Sequence, residues 1–233
     1  MKNTNTTFDR LVEILHAGNN PYLEFSKQHW AKTFPADQFN GWGSQHPWLS
    51  SLVVEIRPRL IIEVGSFLGG SAIEFATALR ACGLEDSAVL CVDTWLAEEV
   101  LWSLPEWRAR LKIQCGTPCC YYTFLANIIE KKLHDTVLPL RMPSLSAARY
   151  LGQSGAIRAQ LIYIDGSHVE GDVLRDMEHY WPLLDAGGVL LMDDYGFDPD
   201  RFAGLMRDVQ RFSRQTGIPF SASGDKALFR KPA

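Results

Sequence analysis

Short apolar runs that end in an acid or a glycine recur along this chain, and they constrain its fold more than any other feature. RLIIEVG (59–65), AVLCVDT (88–94), DTVLPLR (135–141), AQLIYID (159–165) and GVLLMDD (188–194) read as buried strands bounded by turn signals. Segments with helical spacing lie between them. Ala72, Ala76 and Leu79 share one face, as do Tyr121, Phe124, Leu125 and Ile128, and Val169, Val173, Met177, Tyr180 and Leu184. Ser144 is the expected cap of a short helix, SLSAARYLGQSG. Strands apolar along their whole length must be covered on both faces. The expectation is therefore an α/β fold, a doubly wound, mostly parallel sheet. IPFSAS and KALFRK, split by Gly224-Asp225, add a closing hairpin and bring the strands to seven.

Ahead of the first strand, Phe8, Leu11, Val12 and Leu15 share a helical face, and so do Trp48, Leu49, Leu52, Val53 and Ile56, with Ser44 as the expected N-cap. An aromatic-rich stretch holding Trp30, Phe34, Phe39 and Trp42 joins the two. Residues 1–57 read as an N-terminal helical cap within the same domain as residues 58–233. With 233 residues, of which 46% are hydrophobic, the chain has enough core to need no disulfide or structural metal. A net charge of −4 without a basic block argues against nucleic acid. MKNTNTTFDRLVE has no apolar signal core, and no run is long enough to span a membrane. Together with an odd number of cysteines, five, this predicts a cytoplasmic protein. Cys115, Cys119 and Cys120 lack a matching Cys/His pair at zinc spacing and read as apolar fillers.

In open parallel sheets ligands bind at the carboxyl ends of the strands, where the strand order reverses. The first strand ends in EVGSFLGGSA, whose glycines allow a tight turn against a ligand. Its G-x-x-x-G-G spacing is not that of a dinucleotide fold. A zwitterionic amino-acid tail suits the turn, with N–H groups for its carboxylate and Glu63 near its ammonium. Asp93, ending the second strand, can accept hydrogen bonds from ribose hydroxyls. Asp165 ends the fourth strand, and Asp193 and Asp194 end the fifth. Neighbouring strands run about 4.8 Å apart, so these three carboxylates are expected to converge. Oxygen-only ligation points to a hard cation such as Mg²⁺, which would lower the pKa of a coordinated hydroxyl. His168, three residues after Asp165, is the candidate general base. Read as opening the next helix, it is expected to be held neutral by the helix dipole. Tyr195, His46, Trp42 and Trp102 are candidates for the acceptor wall, with packing as the alternative for each.

IIEVGSFLGGSA, VLCVDTW, FLAN, LIYIDGSH and LLDAGGVLLMDDY together resemble class I S-adenosylmethionine-dependent methyltransferases, and more narrowly the bacterial branch with macrolide and aminocoumarin sugar O-methyltransferases. The resemblance spans residues 59 to about 217. It implies that Glu63 and the turn residues Gly65, Ser66, Phe67, Gly70 and Ser71 hold the methionine part of S-adenosylmethionine. It implies that Asp93, with Thr94 and Trp95, takes the ribose, that Ser144 and Leu145 lie near the adenine, and that Asp165 borders the cofactor. The acid that many relatives carry near Ser144 is absent from that segment. Metal-dependent relatives match at Asp165, Asp193 and Asp194, and some use a histidine at the position of His168 as base. The implied reaction is methyl transfer to a hydroxyl of a small molecule, a sugar or polyol of secondary metabolism. Left open are a metal-independent transferase, a hydroxylase of the cephalosporin type, a non-catalytic nucleoside-binding protein, and assembly as a homo-oligomer.

Overall fold

The computed structural model describes residues 6–27, 30–37, 46–153, 155–198 and 200–233. The strands are β1 (Leu60–Val64), β2 (Ala88–Asp93), β3 (Val137–Arg141), β4 (Ala159–Ile164), β5 (Leu184–Met192), β6 (Phe220–Ser223) and β7 (Lys226–Arg230). The helices are α1 (Thr7–His16), α2 (Pro21–Lys27), α3 (Trp30–Thr33), α4 (Pro47–Ile56), α5 (Gly70–Ala81), α6 (Glu99–Ser103), α7 (Pro105–Arg110), α8 (Cys120–Glu130), α9 (Ser144–Gln153), α10 (Asp172–Tyr180) and α11 (Ala203–Thr216). A 3-10 turn, Trp181–Leu183, leads from α10 into β5.

The seven strands form one sheet in the order β3-β2-β1-β4-β5-β7-β6. β1 to β5 pair in parallel, and β7 runs antiparallel to both β5 and β6. The expected doubly wound, mostly parallel sheet is thus what the chain forms. Its order reverses between β1 and β4. There the ladder continues one residue beyond the strands: Gly65 N–H donates to Val92 O, Asp165 N–H to Val64 O, and Asp193 N–H to Ile164 O, at 2.8–3.0 Å. These bonds draw the ends of β1, β4 and β5 to one level, which makes them a common floor for a ligand.

Pro139 sits inside β3, which the sheet order makes an edge strand, where a missing N–H costs no ladder bond on the open side. The N-terminal helices close this edge. His16 Nε2 lies 2.8 Å from Pro139 O, and Tyr22 OH donates to Val137 O at 2.8 Å. The edge carbonyls are thereby satisfied and shielded from pairing with another chain. A continuous apolar cluster runs from Phe8 and Tyr22 through the sheet to Phe229.

Some element ends differ from expectation for identifiable reasons. β5 begins at Leu184, ahead of Gly187, because a register shift against β4 between Ala159 and Leu161 absorbs the glycine pair. The N-cap of α4 is His46, whose Nδ1 accepts from Trp48 N at 3.1 Å; Ser44, Phe39 and Trp42 lie outside the described residues. Ser144 is the first helical residue of α9. Among the described residues no helix is long and apolar enough to cross a membrane.

Gly65 tests this packing most directly. Its φ is +88°, and a Cβ there would land on the carbonyl of Asp165. Gly65→Ala is expected to destabilise the protein by at least about 2–3 kcal/mol, read from urea unfolding, since it combines left-handed strain with overpacking against backbone.

Candidate active site

A cleft of about 990 Å³ opens over the carboxyl ends of β1, β2, β4 and β5. Every site residue expected from the sequence lines it except Glu63. Glu63 is fully buried beneath the glycine turn. Ser66 Oγ donates to one of its oxygens at 2.5 Å, and Ser71 Oγ donates to the other. Burial pushes its carboxyl up from the usual range, while the bonds from Ser66, Ser71 and Cys91 oppose that shift. Glu63 therefore braces the turn from below and does not face a ligand's ammonium, because both its oxygens are already spanned by the turn's own hydroxyls.

Asp93 braces the same turn from the side. Its Oδ2 accepts from Ser66 N and Phe67 N at 2.9 Å, and its Oδ1 from Trp95 N at 2.7 Å. Burial raises its carboxyl, and these backbone donors pull the other way. The N–H groups of Ser66 and Phe67 are thus engaged by Asp93, which still lines the cleft. Trp95, nearly fully buried, donates from Nε1 to Phe67 O at 2.6 Å and locks the turn's outer arm. Asn127 of α8, the last residue of the FLAN segment, adds a 2.8 Å bond to Leu68 O, a contact that its place in a helix does not announce.

At the far end of the cleft α9 begins with Ser144 and Leu145, and Tyr180 OH fastens Ser144 O at 2.9 Å. An acid from α10 lines this end of the cleft. Asp176, buried, lines the cleft and is hydrogen-bonded by Ser144; burial drives its carboxyl up to about 6 against that bond. The only sequence signal for it is an acid beside Met177, within the Val173–Tyr180 stripe.

The opposite wall carries the acids after β4 and β5. Asp165, His168 and Asp194 present ligand atoms within 4.8 Å of one another. His168 lies in the loop before α10, which starts only at Asp172, so no helix dipole acts on it as expected from the sequence. Its Nε2 is 2.7 Å from Asp194 Oδ2, a contact of ionic length without a well-aligned hydrogen bond. Its Nδ1 is 3.4 Å from Glu98 Oε2, and its ring leans on Phe202 at 4.9 Å. Burial alone would lower the imidazole pKa, but Asp194 and Glu98 outweigh it and push it up to about 9. The expected neutral imidazole is therefore overturned by two flanking carboxylates, one of them, Glu98, from the segment after β2. Asp194 holds φ +55°, strained for a residue with a side chain, which marks a site-specific constraint. Asp165 is held well above the ordinary carboxylate range by burial and then by the charges of Asp193 and Asp194.

Asp193 belongs to a second group, with Asp194 and Asp225, whose ligand atoms also lie within 4.8 Å of one another. It is buried, accepts from Tyr163 OH and from Asp194 N, and is paired with Lys226 Nζ. Lys226 is 1% exposed and also lies 3.0 Å from Asp225 Oδ2. Burial would lower its pKa, and the two carboxylates raise it. The three carboxylates expected to share one Mg²⁺ are divided between two groups, Asp165 and Asp194 meeting at His168 and Asp193 meeting Asp194 and Asp225 beside Lys226. A divalent ion on Asp193 would have to share that carboxylate with a buried ammonium, and like charges that close repel.

The remaining candidates pack. Tyr195 meets Phe220 at 5.3 Å, Trp102 Nε1 donates to Leu96 O at 2.9 Å, and His46 caps α4. Cys120 is buried and donates to Trp95 O, and burial pushes its thiol up to about 12. Instead, Val100, Leu101, Leu104, Trp107 and Phe197 form the apolar lip of the cleft.

A reversed strand order, a glycine turn braced by two acids and a cluster of acids on the opposite wall define the doubly wound fold of class I methyltransferases. A family profile described as a methyltransferase domain matches residues 62–195, more than half of the chain, and the protein belongs to that family. Solved structures share the fold. The O-methyltransferase TomG from Streptomyces achromogenes, involved in tomaymycin synthesis and bound to SAM, is 16% identical, with 92% of this chain and 91% of that chain covered and a TM-score of 0.59. An O-methyltransferase from Bacillus cereus in complex with SAH is 17% identical over 100% of both chains, with a TM-score of 0.58. CalS11, a calicheamicin methyltransferase, is 16% identical over 96% of this chain and 91% of that one, with a TM-score of 0.56. A search of curated proteins by sequence finds no match.

Asp93→Ala leaves three backbone donors without their acceptor. It is expected to cost about 2–3 kcal/mol in urea unfolding, the range for hydrogen bonds to a charged group.

Proposed function

We propose that the protein transfers the methyl group of S-adenosylmethionine to a hydroxyl oxygen of a small molecule. The observation that carries this reading is the sharing of one cleft by two unlike walls. The braced glycine turn, Asp93 and the Ser144–Asp176 end suit an adenosyl amino acid. Asp165, His168 and Asp194 suit a hydroxyl that must lose a proton. SAM and SAH in fold relatives support the donor. Tomaymycin and calicheamicin in the names of two of them support an acceptor from secondary metabolism, with a sugar or polyol as the expected class. Five free cysteines fit a reducing cytoplasm.

The turn fixes the donor, and the apolar lip excludes water and orients the acceptor. The acceptor oxygen attacks the sulfonium methyl; the S–CH₃ bond breaks, the O–CH₃ bond forms, and S-adenosylhomocysteine leaves. The hydroxyl proton passes to His168 in its neutral form, and Asp194 and Glu98 stabilise the imidazolium that results. Asp165 borders both donor and base. Asp193, paired with Lys226, takes no part in this proton transfer.

Calorimetric titration with S-adenosylmethionine is expected to show saturable binding, and no heat would overturn the reading. His168→Ala is expected to lower kcat about a hundredfold or more while donor affinity holds. Because the base works only when neutral and its pKa is raised to about 9, kcat/KM is expected to climb about tenfold per pH unit through neutrality and to level near pH 9. A profile flat from pH 6 to pH 9 would remove His168 as the base.

A further inference from the structure

Lys226 is the least expected group at the acceptor wall. It opens β7 directly after the Gly224-Asp225 turn, and β7 lies against β5 with Ala227 opposite Met192. That register delivers the lysine to the end of β5, where Asp193 begins the loop. The side chain is buried, borders the cleft, and meets Asp193 on one side and Asp225 on the other. Tyr163 OH occupies the second oxygen of Asp193.

Stability gives little reason for such a pair. A buried ion pair is often no better for stability than apolar side chains of the same volume. The surrounding wall supplies another reason. Asp165 and Asp194 meet there at His168, Asp193, Asp194 and Asp225 meet beside Lys226, and carboxylates so close cannot all ionise without positive charge among them. In this chain the charge comes from Lys226 and His168, both covalently part of the protein.

We propose that the Lys226 ammonium is the resident cation of the acceptor wall, holding Asp193 where a divalent ion would otherwise be held, so that methyl transfer proceeds without a metal. This rests on the methyl-transfer reading, but it makes a separate statement about charge. An ammonium neutralises Asp193 and fixes its position, yet it has no open coordination position for the acceptor oxygen. Activation of the hydroxyl then falls to His168 and its carboxylates. Lys226 is a positioning residue in this scheme, acting through Asp193 and Asp194.

The test reads metal binding directly and needs no acceptor. Chelator-treated protein is titrated with Mn²⁺ alone and followed by the EPR signal of the free ion, with S-adenosylmethionine calorimetry run in parallel on each variant. Wild type is expected to leave the free-ion signal unchanged into the millimolar range. Lys226→Met, which keeps the volume and removes the charge, is expected to take up Mn²⁺ stoichiometrically and to lose that uptake when Asp193→Asn is added. Its Tm is expected to rise by about 5–10 °C at a hundredfold excess of Mn²⁺ over Kd. Lys226→Arg, which retains the charge, is expected to behave as wild type. Micromolar Mn²⁺ uptake by wild type would overturn the proposal, whether it disappears in Asp193→Asn or persists at Asp165, His168 and Asp194, and so would a folded, donor-binding Lys226→Met that takes up none. Should Lys226→Met not fold, the wild-type titration decides alone. Loss of donor binding in wild type would instead count against the methyl-transfer reading.

Discussion

The structure depends on one close approach, that of Gly65 to the carbonyl of Asp165 across the point where the sheet reverses its order. β1 and β4 can run side by side to their last residues only because no side chain stands between their loops. The same contact sets the distance between the two walls of the cleft. Gly65 begins the turn that is braced by Glu63 and Asp93, and Asp165 begins the loop that carries His168. The proposed donor and acceptor walls are therefore the two sides of one backbone contact, and a disturbance at either would be felt at the other.

The two walls use acids in opposite ways. On the donor side Glu63 and Asp93 spend most of their accepting capacity on the protein's own hydroxyls and backbone N–H groups, which makes the turn rigid before any ligand arrives. On the acceptor side the acids face cations, Asp194 and Glu98 against His168, and Asp193 and Asp225 against Lys226. A preorganised cradle beside a charged, adjustable wall suits a reaction in which one partner must be held still and the other must lose a proton.

Much of this was legible in the chain. Apolar runs ending in acids give the strand ends, and the glycines after the first run give the turn, because both follow from local rules. Roles that depend on register were not legible. Nothing in KALFRK says that its lysine will meet Asp193; that follows from how the hairpin pairs with β5. The stripe that includes Val169 predicts a helical His168, whereas Gly171 at φ +90° delays α10 to Asp172 and leaves the imidazole to two carboxylates. Its place near a strand end predicts Glu63 facing a ligand, but in a strand buried on both faces a side chain can as well be sealed under the following turn. Asp176 looked like an ordinary helix acid, and only the packing of α10 beside α9 turns it into the cleft.

A crystal structure with S-adenosylhomocysteine bound is the most direct test of the central claim, that these strand ends form one cleft with a donor wall and an acceptor wall. The account predicts the amino-acid tail against the Gly65–Ser71 turn, the adenosine running past Asp93 toward Ser144, and the sulfur facing Asp165 and His168. A ligand lying outside this cleft, or one whose sulfur points away from those two residues, would contradict it.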